Sequence, residues 1–204
     1  MTEPTHTCLG FPEDLSNEEY LAHVIKATGF VRLESAPNGD CFFTCLESYF
    51  KLLEQPLSEK SHTDLRLDLV TYMLTDIDKF KPYVAREYKV KSEKQRERYL
   101  EMYIAREIKK LAQEHIYNTE LGDIVPSAAV EAFGIHIVIH NWSWMARKLE
   151  LIDLKPEFSS PSNTIHLLRI NENHYDLLLA ARIFTEEVCD RWDMLSMMRD
   201  TVDI

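Results

Sequence analysis

The sequence NGDCFF at residues 38–43 combines a glycine turn with the start of a helix. Apolar residues recur at helical spacing from Phe42 to Leu53, and Pro56 then stops the helix. Cys41 therefore lies at a helix N-terminus, where unpaired N–H groups and partial positive charge favour a thiolate over a thiol. Because the thiolate is the nucleophilic form of cysteine, Cys41 is the candidate nucleophile of a hydrolase.

The turn residues that precede the cysteine have separate predicted roles. Gly39 permits the sharp turn, so the amides of residues 39–41 can point at an oxyanion that forms on a substrate. Asn38 can hold the loop through side-chain hydrogen bonds without adding charge. A carboxylate on Asp40 would oppose ionisation of the thiol unless it turns away, and we expect it to cap the helix by accepting N–H bonds from the first turn. Asn38, Gly39 and Asp40 form the candidate oxyanion loop.

A second signal lies near the C-terminus, in the run His174-Tyr175-Asp176. Alternate residues of a strand share a face, so His174 and Asp176 point one way while Tyr175 points the other way. Asp176 can then orient the imidazole, and the imidazole can act as the base for Cys41. The predicted catalytic residues are therefore Cys41, His174 and Asp176.

From about Val31 to Arg182 the chain resembles the ovarian tumour (OTU) family of cysteine proteases, most of which are deubiquitinating enzymes. Three ordered segments carry the likeness: the turn and helix start at residues 38–43, the helix and strand between Glu120 and Ile139, and the runs Ile165-His166-Leu167-Leu168 and His174-Tyr175-Asp176. The loop departs from the family, which usually has Asp-Gly-Asn-Cys where this chain has Asn-Gly-Asp-Cys.

The resemblance implies an α+β fold, that of a papain-like cysteine protease of OTU type, with a small, mostly antiparallel sheet flanked by helices. It implies a thiol-dependent deubiquitinase that hydrolyses isopeptide bonds after the C-terminal diglycine of ubiquitin through a Cys41, His174 and Asp176 triad. Ubiquitin or polyubiquitin is then the partner, and neither a cofactor nor a metal is required. Two alternatives stay open: a ubiquitin-binding module whose exchanged loop residues have weakened catalysis, and a protease for a ubiquitin-like modifier.

Composition limits the other partners that the chain can have. The 204 residues are 45% hydrophobic and 28% charged, as expected for one globular domain with a substantial core. The formal net charge of −11 argues against nonspecific binding to nucleic acid and suits a partner with a basic face. No apolar run approaches the roughly 18 residues that a bilayer span needs, so we expect no membrane association. We expect a monomer.

The four cysteines, Cys8, Cys41, Cys45 and Cys189, show neither paired nor metal-like spacing. A reducing compartment, the cytoplasm, is the expected location, and delivery into a host cell stays open. The first ten residues lack a basic start followed by an apolar stretch, so they do not have the pattern of a standard secretory signal. Cys45 lies one helical turn after the candidate nucleophile on the apolar face, and we predict that it only fills the core.

Three segments are predicted along the chain. Residues 1–29 form an N-terminal helical extension, which can be part of the substrate-binding surface, and a capping box at residues 16–19 begins its helix. Residues 30–185 form the OTU-like catalytic domain. Residues 186–204 carry a C-terminal amphipathic helix, which either packs on the sheet or serves as an accessory contact.

Helices and strands of the central segment follow from periodicity and caps. Helices are expected at residues 41–53, at 63–77, from the second capping box at residues 92–95, and at 128–133 after Pro126; strands are expected at residues 30–34, 135–140, 149–154, 165–170 and 174–180. The charged stretch from Glu93 to Glu107 can grip ubiquitin, but alternating charges on a helix usually form a solvated face, which we favour.

Two further groups of residues have competing interpretations. His136 and His140 lie on one face of their predicted strand, but no third ligand follows at a spacing that zinc would need, so we predict no metal site. Trp142, Trp144 and Met145, in the predicted loop after His140, can clamp the ubiquitin tail or can cover the core. The sequence favours neither interpretation.

Overall fold

The computed structural model describes residues 15–83, 92–117, 121–157, 164–171 and 174–200. Cys8, Glu120 and the first ten residues, which entered the sequence analysis, lie outside these ranges. Among the described residues, no helix is long and apolar enough to cross a membrane.

A five-stranded sheet in the order β1-β5-β4-β2-β3 organises the described residues. Its strands are β1 (Phe30–Leu33), β2 (His136–Ser143), β3 (Lys148–Leu154), β4 (Thr164–Ile170) and β5 (His174–Ala180). Only the pairing of β2 with β4 is parallel, and the other three pairings are antiparallel. The predicted α+β architecture with a mostly antiparallel sheet is confirmed.

The described residues also form six α-helices. They are α1 (Asn17–Ala27), α2 (Cys41–Leu52), α3 (His62–Thr75), α4 (Glu93–Lys110), α5 (Val125–Phe133) and α6 (Glu186–Asp200), with short 3-10 helices at Ile77–Tyr83 and Gly122–Ile124. Ser16 and Glu19 form the predicted capping box of α1. Ser92 accepts the predicted hydrogen bond from the backbone of Gln95 at the start of α4. At the end of α5, Gly134 adopts the left-handed conformation that a helix C-terminus favours.

The sequence predicted that one apolar face of α2 would be buried, but the helix is buried on nearly all sides. Every residue of α2 except Lys51 is buried, since the helix lies between β5, α3 and α6. Its sheet-facing side meets Tyr175, Leu177 and Leu179 of β5, which belong to the same hydrophobic cluster. This burial fixes the axis of α2, and with it the position of its first residue.

The opposite face of the sheet is covered by α1. Leu21 and Ile25 of α1 join Leu168 of β4 and Leu178 of β5 in a second hydrophobic cluster. His174 and Asp176 alternate with Leu177 along β5 and therefore lie on the α1 face. The N-terminal helix thus packs behind the strand that carries the predicted base.

One predicted placement differs from the structure. Trp142 lies within β2 and not in a loop, because the strand continues to Ser143. Helix α6 packs on α2: Val188 enters the main hydrophobic cluster, and Arg191 Nη1 donates to the carbonyl oxygen of Leu52 at 3.1 Å.

Candidate active site

Cys41 is the first residue of α2, as the sequence predicted. Its side chain is only 2% exposed, because the helix start is enclosed by the surrounding elements. The thiol therefore lies where the helix N-terminus can stabilise a thiolate, but close below the surface rather than on it.

His174 and Asp176 share one face of β5, and their side chains are in contact. His174 Nε2 lies 2.9 Å from Asp176 Oδ1, and Asp176 is fully buried. With Nε2 protonated, the ring donates to the carboxylate and leaves Nδ1 for the thiol. Among the described residues, the buried Nδ1 atom has no oxygen or nitrogen partner.

The electrostatics of His174 link it to both of the other predicted catalytic residues. The hydrogen bond to Asp176, followed by the interaction with Cys41, raises the pKa of His174 from 6.5 to about 9, against the opposing effect of burial. Burial raises the pKa of Asp176, but hydrogen bonds from His174 and Ser35 and the charge of Arg32 lower it below its usual value. The structure thus brings Cys41, His174 and Asp176 together, with the imidazolium and the carboxylate favoured.

The raised pKa of His174 predicts how stability varies with pH. A histidine whose pKa rises on folding stabilises the folded state below its unfolded pKa of 6.5, and this stabilisation is lost as the pH rises through about 9. We expect the free energy of unfolding of the wild type to fall more between these pH values than that of His174→Gln. Urea denaturation at a series of pH values measures both, and parallel curves for the two proteins would contradict the prediction.

Asp40 does not cap α2, so that prediction was wrong. Its side chain makes no cap hydrogen bond and instead turns into the protein, where Arg66 Nη2 donates to Oδ1. His115 contributes two contacts, its backbone N–H to Oδ1 at 2.9 Å and its Nδ1 to Oδ2 at 2.6 Å. An acid with a buried guanidinium beside it needs no helix N–H groups, because the guanidinium neutralises its charge.

Arg66 joins the loop before Cys41 to the segment after α4. In addition to Asp40, its guanidinium donates to Gly39 O at 3.0 Å, to Leu111 O at 2.8 Å and to Ile116 O at 2.7 Å. Arg66 is 0% exposed and Asp40 is 1% exposed. This buried pair therefore holds the turn that precedes Cys41 in one position.

Asn38 and Gly39 shape that turn. Asn38 Oδ1 accepts the backbone N–H of Asp40 at 3.1 Å, which confirms the predicted side-chain support of the loop. Gly39 has φ 82°, and a Cβ at this position would lie 2.1 Å from the carbonyl oxygen of His115. Because the Asp40 amide is already bonded to Asn38, it can serve an oxyanion only if that bond opens. The oxyanion role of the loop stays a prediction.

Sequence reasoning missed four residues that support the site: Arg32, Ser35, Arg66 and His115. The Ser35 N–H donates to Asp176 Oδ1 at 2.9 Å, and Arg32 Nε donates to Asp176 Oδ2 at 2.8 Å. A usable signal was the arginine in the otherwise apolar strand Phe30–Leu33, since a charge in a partly buried strand needs a partner. The identity of that partner depends on strand pairing across most of the chain.

The histidines that suggested a metal site have other partners. His136 Nε2 lies 2.5 Å from Asp153 Oδ1, and His140 Nε2 lies 3.1 Å from His166 Nδ1. Burial, followed by the neighbouring His166, lowers the pKa of His140 to about 4. Within the described residues there is no group of three or more side chains that could hold a metal ion.

The β2–β3 hairpin contains Trp142, Trp144 and Met145, which differ in their exposure to solvent. Trp142 is buried against α1, with its ring 6.0 Å from that of Tyr20, so it covers the core. Trp144 packs edge-on against Trp142, and Met145 is fully exposed at the turn.

Cys45 is buried in the core, as predicted, and its thiol lies 3.5 Å from the carbonyl oxygen of Tyr175.

Solved structures with the same arrangement of helices and strands identify the fold. The OTU domain of OTUD1 is 16% identical, with a TM-score of 0.54, over 80% of this chain and 94% of that chain. An OTU deubiquitinase from Wolbachia pipientis wMel is 15% identical, with a TM-score of 0.51, over 80% of this chain and 96% of that chain. The chain has an OTU-like fold.

The OTU-like fold is recognised through structure and not through overall sequence. The comparisons with family models and with curated proteins found no match. Because the two structures are only 15–16% identical to this chain, they are evidence for its fold and not for its function. The chemistry of the OTU-like site must therefore be argued from its own residues.

Proposed function

We propose that this OTU-like protein is a cysteine-type deubiquitinase that hydrolyses the isopeptide bond after the C-terminal diglycine of ubiquitin. The observation that carries the proposal is the contact of His174 with both a buried carboxylate and the thiol at the start of α2. A nucleophile, a base and a group that orients the base are the minimum for this chemistry.

In the proposed reaction, the proton of Cys41 is on His174 Nδ1 before the attack, and Asp176 stabilises this imidazolium. The thiolate attacks the isopeptide carbonyl carbon, and the carbonyl electrons move to the oxygen, which the loop amides stabilise. The C–N bond then breaks as the imidazolium protonates the leaving lysine amine, which leaves a thioester between ubiquitin and Cys41. Water, deprotonated by His174, attacks the thioester and releases the ubiquitin carboxylate and the thiol.

Ubiquitin as the partner is supported by the fold and by charge. One of the structures that share the fold is described as an OTU deubiquitinase. The formal net charge of −11 suits a partner with basic residues around its tail. The three cysteines among the described residues form no disulfide, which agrees with the proposed reducing compartment.

A second candidate, a ubiquitin-binding module with weakened catalysis, is favoured by a specific observation. Cys41 is 2% exposed, and the neighbouring Asp40 amide donates to Asn38. In this state the thiol and one candidate oxyanion donor are both withheld from a substrate. Catalysis then requires that ubiquitin binding opens the loop, whereas a binding module requires no such change.

The test is incubation of the wild-type chain with ubiquitin that carries an electrophile at its C-terminus. The same electrophile on ubiquitin-like modifiers is tested in parallel, and a panel of differently linked diubiquitins measures hydrolysis. We expect an adduct that is heavier by one ubiquitin, together with cleavage of at least one linkage.

Other outcomes choose between the alternatives. Micromolar binding of ubiquitin without an adduct would favour the binding module. An adduct with a ubiquitin-like modifier but not with ubiquitin would reassign the substrate. Neither binding nor labelling by any of these proteins would overturn the proposal.

A further inference from the structure

The carboxylate of Asp176 divides its two oxygens between two cationic partners. Oδ1 faces His174 Nε2 at 2.9 Å and also accepts the N–H of Ser35, while Oδ2 accepts Arg32 Nε at 2.8 Å. Asp176 is fully buried, so these groups replace the water that would otherwise solvate its charge. With both oxygens bonded, the carboxylate has one orientation.

The guanidinium of Arg32 has two further acidic partners besides Asp176. Its Nη1 donates to Glu18 of α1, and Glu34 lies 3.6 Å from the same nitrogen. Helix α1 is anchored on this face of the sheet by Leu21 and Ile25, so the position of Glu18 is set by core packing. A continuous chain of contacts therefore runs from α1 through Arg32 and Asp176 to His174.

We infer that Arg32 is a positioning residue, which keeps Asp176 ionised and oriented so that this carboxylate can fix the imidazole of His174. The inference deepens the proposed function and rests on it for its catalytic meaning. Arg32 does not touch the reacting atoms, and it acts only through the carboxylate. Helix α1 therefore also helps to position His174, because Glu18 of α1 contacts Arg32.

The groups around His174 determine the direction in which its pKa should change when Arg32 is replaced. Cys41 faces His174 from α2, Arg32 and Glu34 belong to β1 or follow it, and Glu18 reaches Arg32 from α1. On β4, the residues opposite Asp176 and His174 are Leu168 and Ile170, which do not titrate. The hydrogen bond to Asp176 is the largest cause of the raised pKa of His174, so a variant that leaves this carboxylate less ionised and less well oriented should lower that pKa.

The primary experiment compares Arg32→Met with Arg32→Lys by NMR titration of the His174 ring, assigned with His174→Gln. We expect the titration midpoint of His174 in Arg32→Met to fall by about 0.5 pH unit or more, because the hydrogen bond to Asp176 that raises this pKa is weakened when the carboxylate loses its second partner. Arg32→Lys keeps the charge and should stay close to the wild type. Arg191→Met is the matched control, since it removes an arginine of α6 whose ion pairs are with Glu187 and Glu54.

The same variants are then assayed for hydrolysis of a ubiquitin C-terminal fluorogenic amide across pH. We expect kcat/KM of Arg32→Met to fall about 10- to 100-fold, the scale of a misplaced catalytic group, with the alkaline limb of the pH profile, on which the imidazolium is lost, moved to lower pH. Arg32→Lys should recover most of the activity and the wild-type profile. Arg191→Met should match the wild type.

The two readouts separate this inference from the proposed function. An unchanged His174 midpoint in Arg32→Met would overturn the inference, whether or not the wild type cleaves ubiquitin. Loss of activity with an unmoved pH profile and no recovery in Arg32→Lys would also overturn it, because that pattern indicates a structural role alone. A lowered midpoint in Arg32→Met, together with a wild type that neither labels nor cleaves ubiquitin, would support the positioning role of Arg32 and contradict the deubiquitinase proposal.

Discussion

Replacement of Cys41 by alanine should abolish covalent capture of electrophile-tipped ubiquitin. Loss of the only nucleophile in a triad lowers kcat by on the order of 10⁵ to 10⁶-fold, so hydrolysis should also fall to the floor of the assay. The fold should survive, because the change removes one sulfur atom from a buried position at a cost of about 1 kcal/mol. Mass spectrometry of the adduct and a thermal melt measure the two effects.

Matched thiol variants make this result specific. Cys189 on α6 is more exposed than Cys41, and Cys189→Ala should be labelled at the wild-type rate. Cys45→Ala removes a buried thiol one turn further along α2 and should also retain labelling. Labelling that persists in Cys41→Ala but disappears in Cys189→Ala would move the nucleophile to α6 and refute the site described here. Retained ubiquitin binding by Cys41→Ala would show that recognition does not depend on the thiol.

Replacement of Arg66 by methionine should cause the largest loss of stability among the changes considered. Asp40 is 1% exposed and would keep only the contacts with His115, so its charge would be buried without its guanidinium partner. Breaking a buried pair by removing one partner costs about 3 to 5 kcal/mol. The carbonyl oxygens of Gly39, Leu111 and Ile116 would lose their donor as well. Urea denaturation with two optical probes measures the loss.

Two controls separate the buried pair from the mere loss of an arginine. Arg191→Met breaks ion pairs of a side chain that is 29% exposed, and should cost about 1 kcal/mol or less. Adding Asp40→Asn to Arg66→Met removes the unpaired charge and should recover part of the stability. A loss below about 1 kcal/mol for Arg66→Met, or no recovery in the double variant, would show that the pair does not hold the loop.

Local sequence signals predicted the parts of the site that are close together along the chain. The glycine turn placed Cys41 at a helix start, and strand alternation placed His174 beside Asp176, as the structure has them. Both rest on the geometry of a few consecutive residues. The same holds for the capping box that begins α1.

The missing parts depend on contacts between distant segments. Asp40 carried a local signal for helix capping, but a buried Arg66 from α3 outcompeted the helix N–H groups for its carboxylate. Arg32 met Asp176 only because β1 pairs with β5, a register that no local pattern encodes. Trp142 was assigned to a loop because its preference for a buried strand depends on α1, which packs over it. Long-range packing therefore decided the cases in which local reasoning failed.

The pairing of Phe30 with Ala180 has a consequence for biosynthesis. Strand β1 leaves the ribosome long before β5 exists, and its backbone N–H and C=O groups stay without their sheet partner until β5 has been synthesised. Such a non-local closure slows folding and lengthens the period in which a strand edge can associate with other chains. A nascent chain that stops before β5 should therefore depend on chaperones, and it can contain the thiol but never the base.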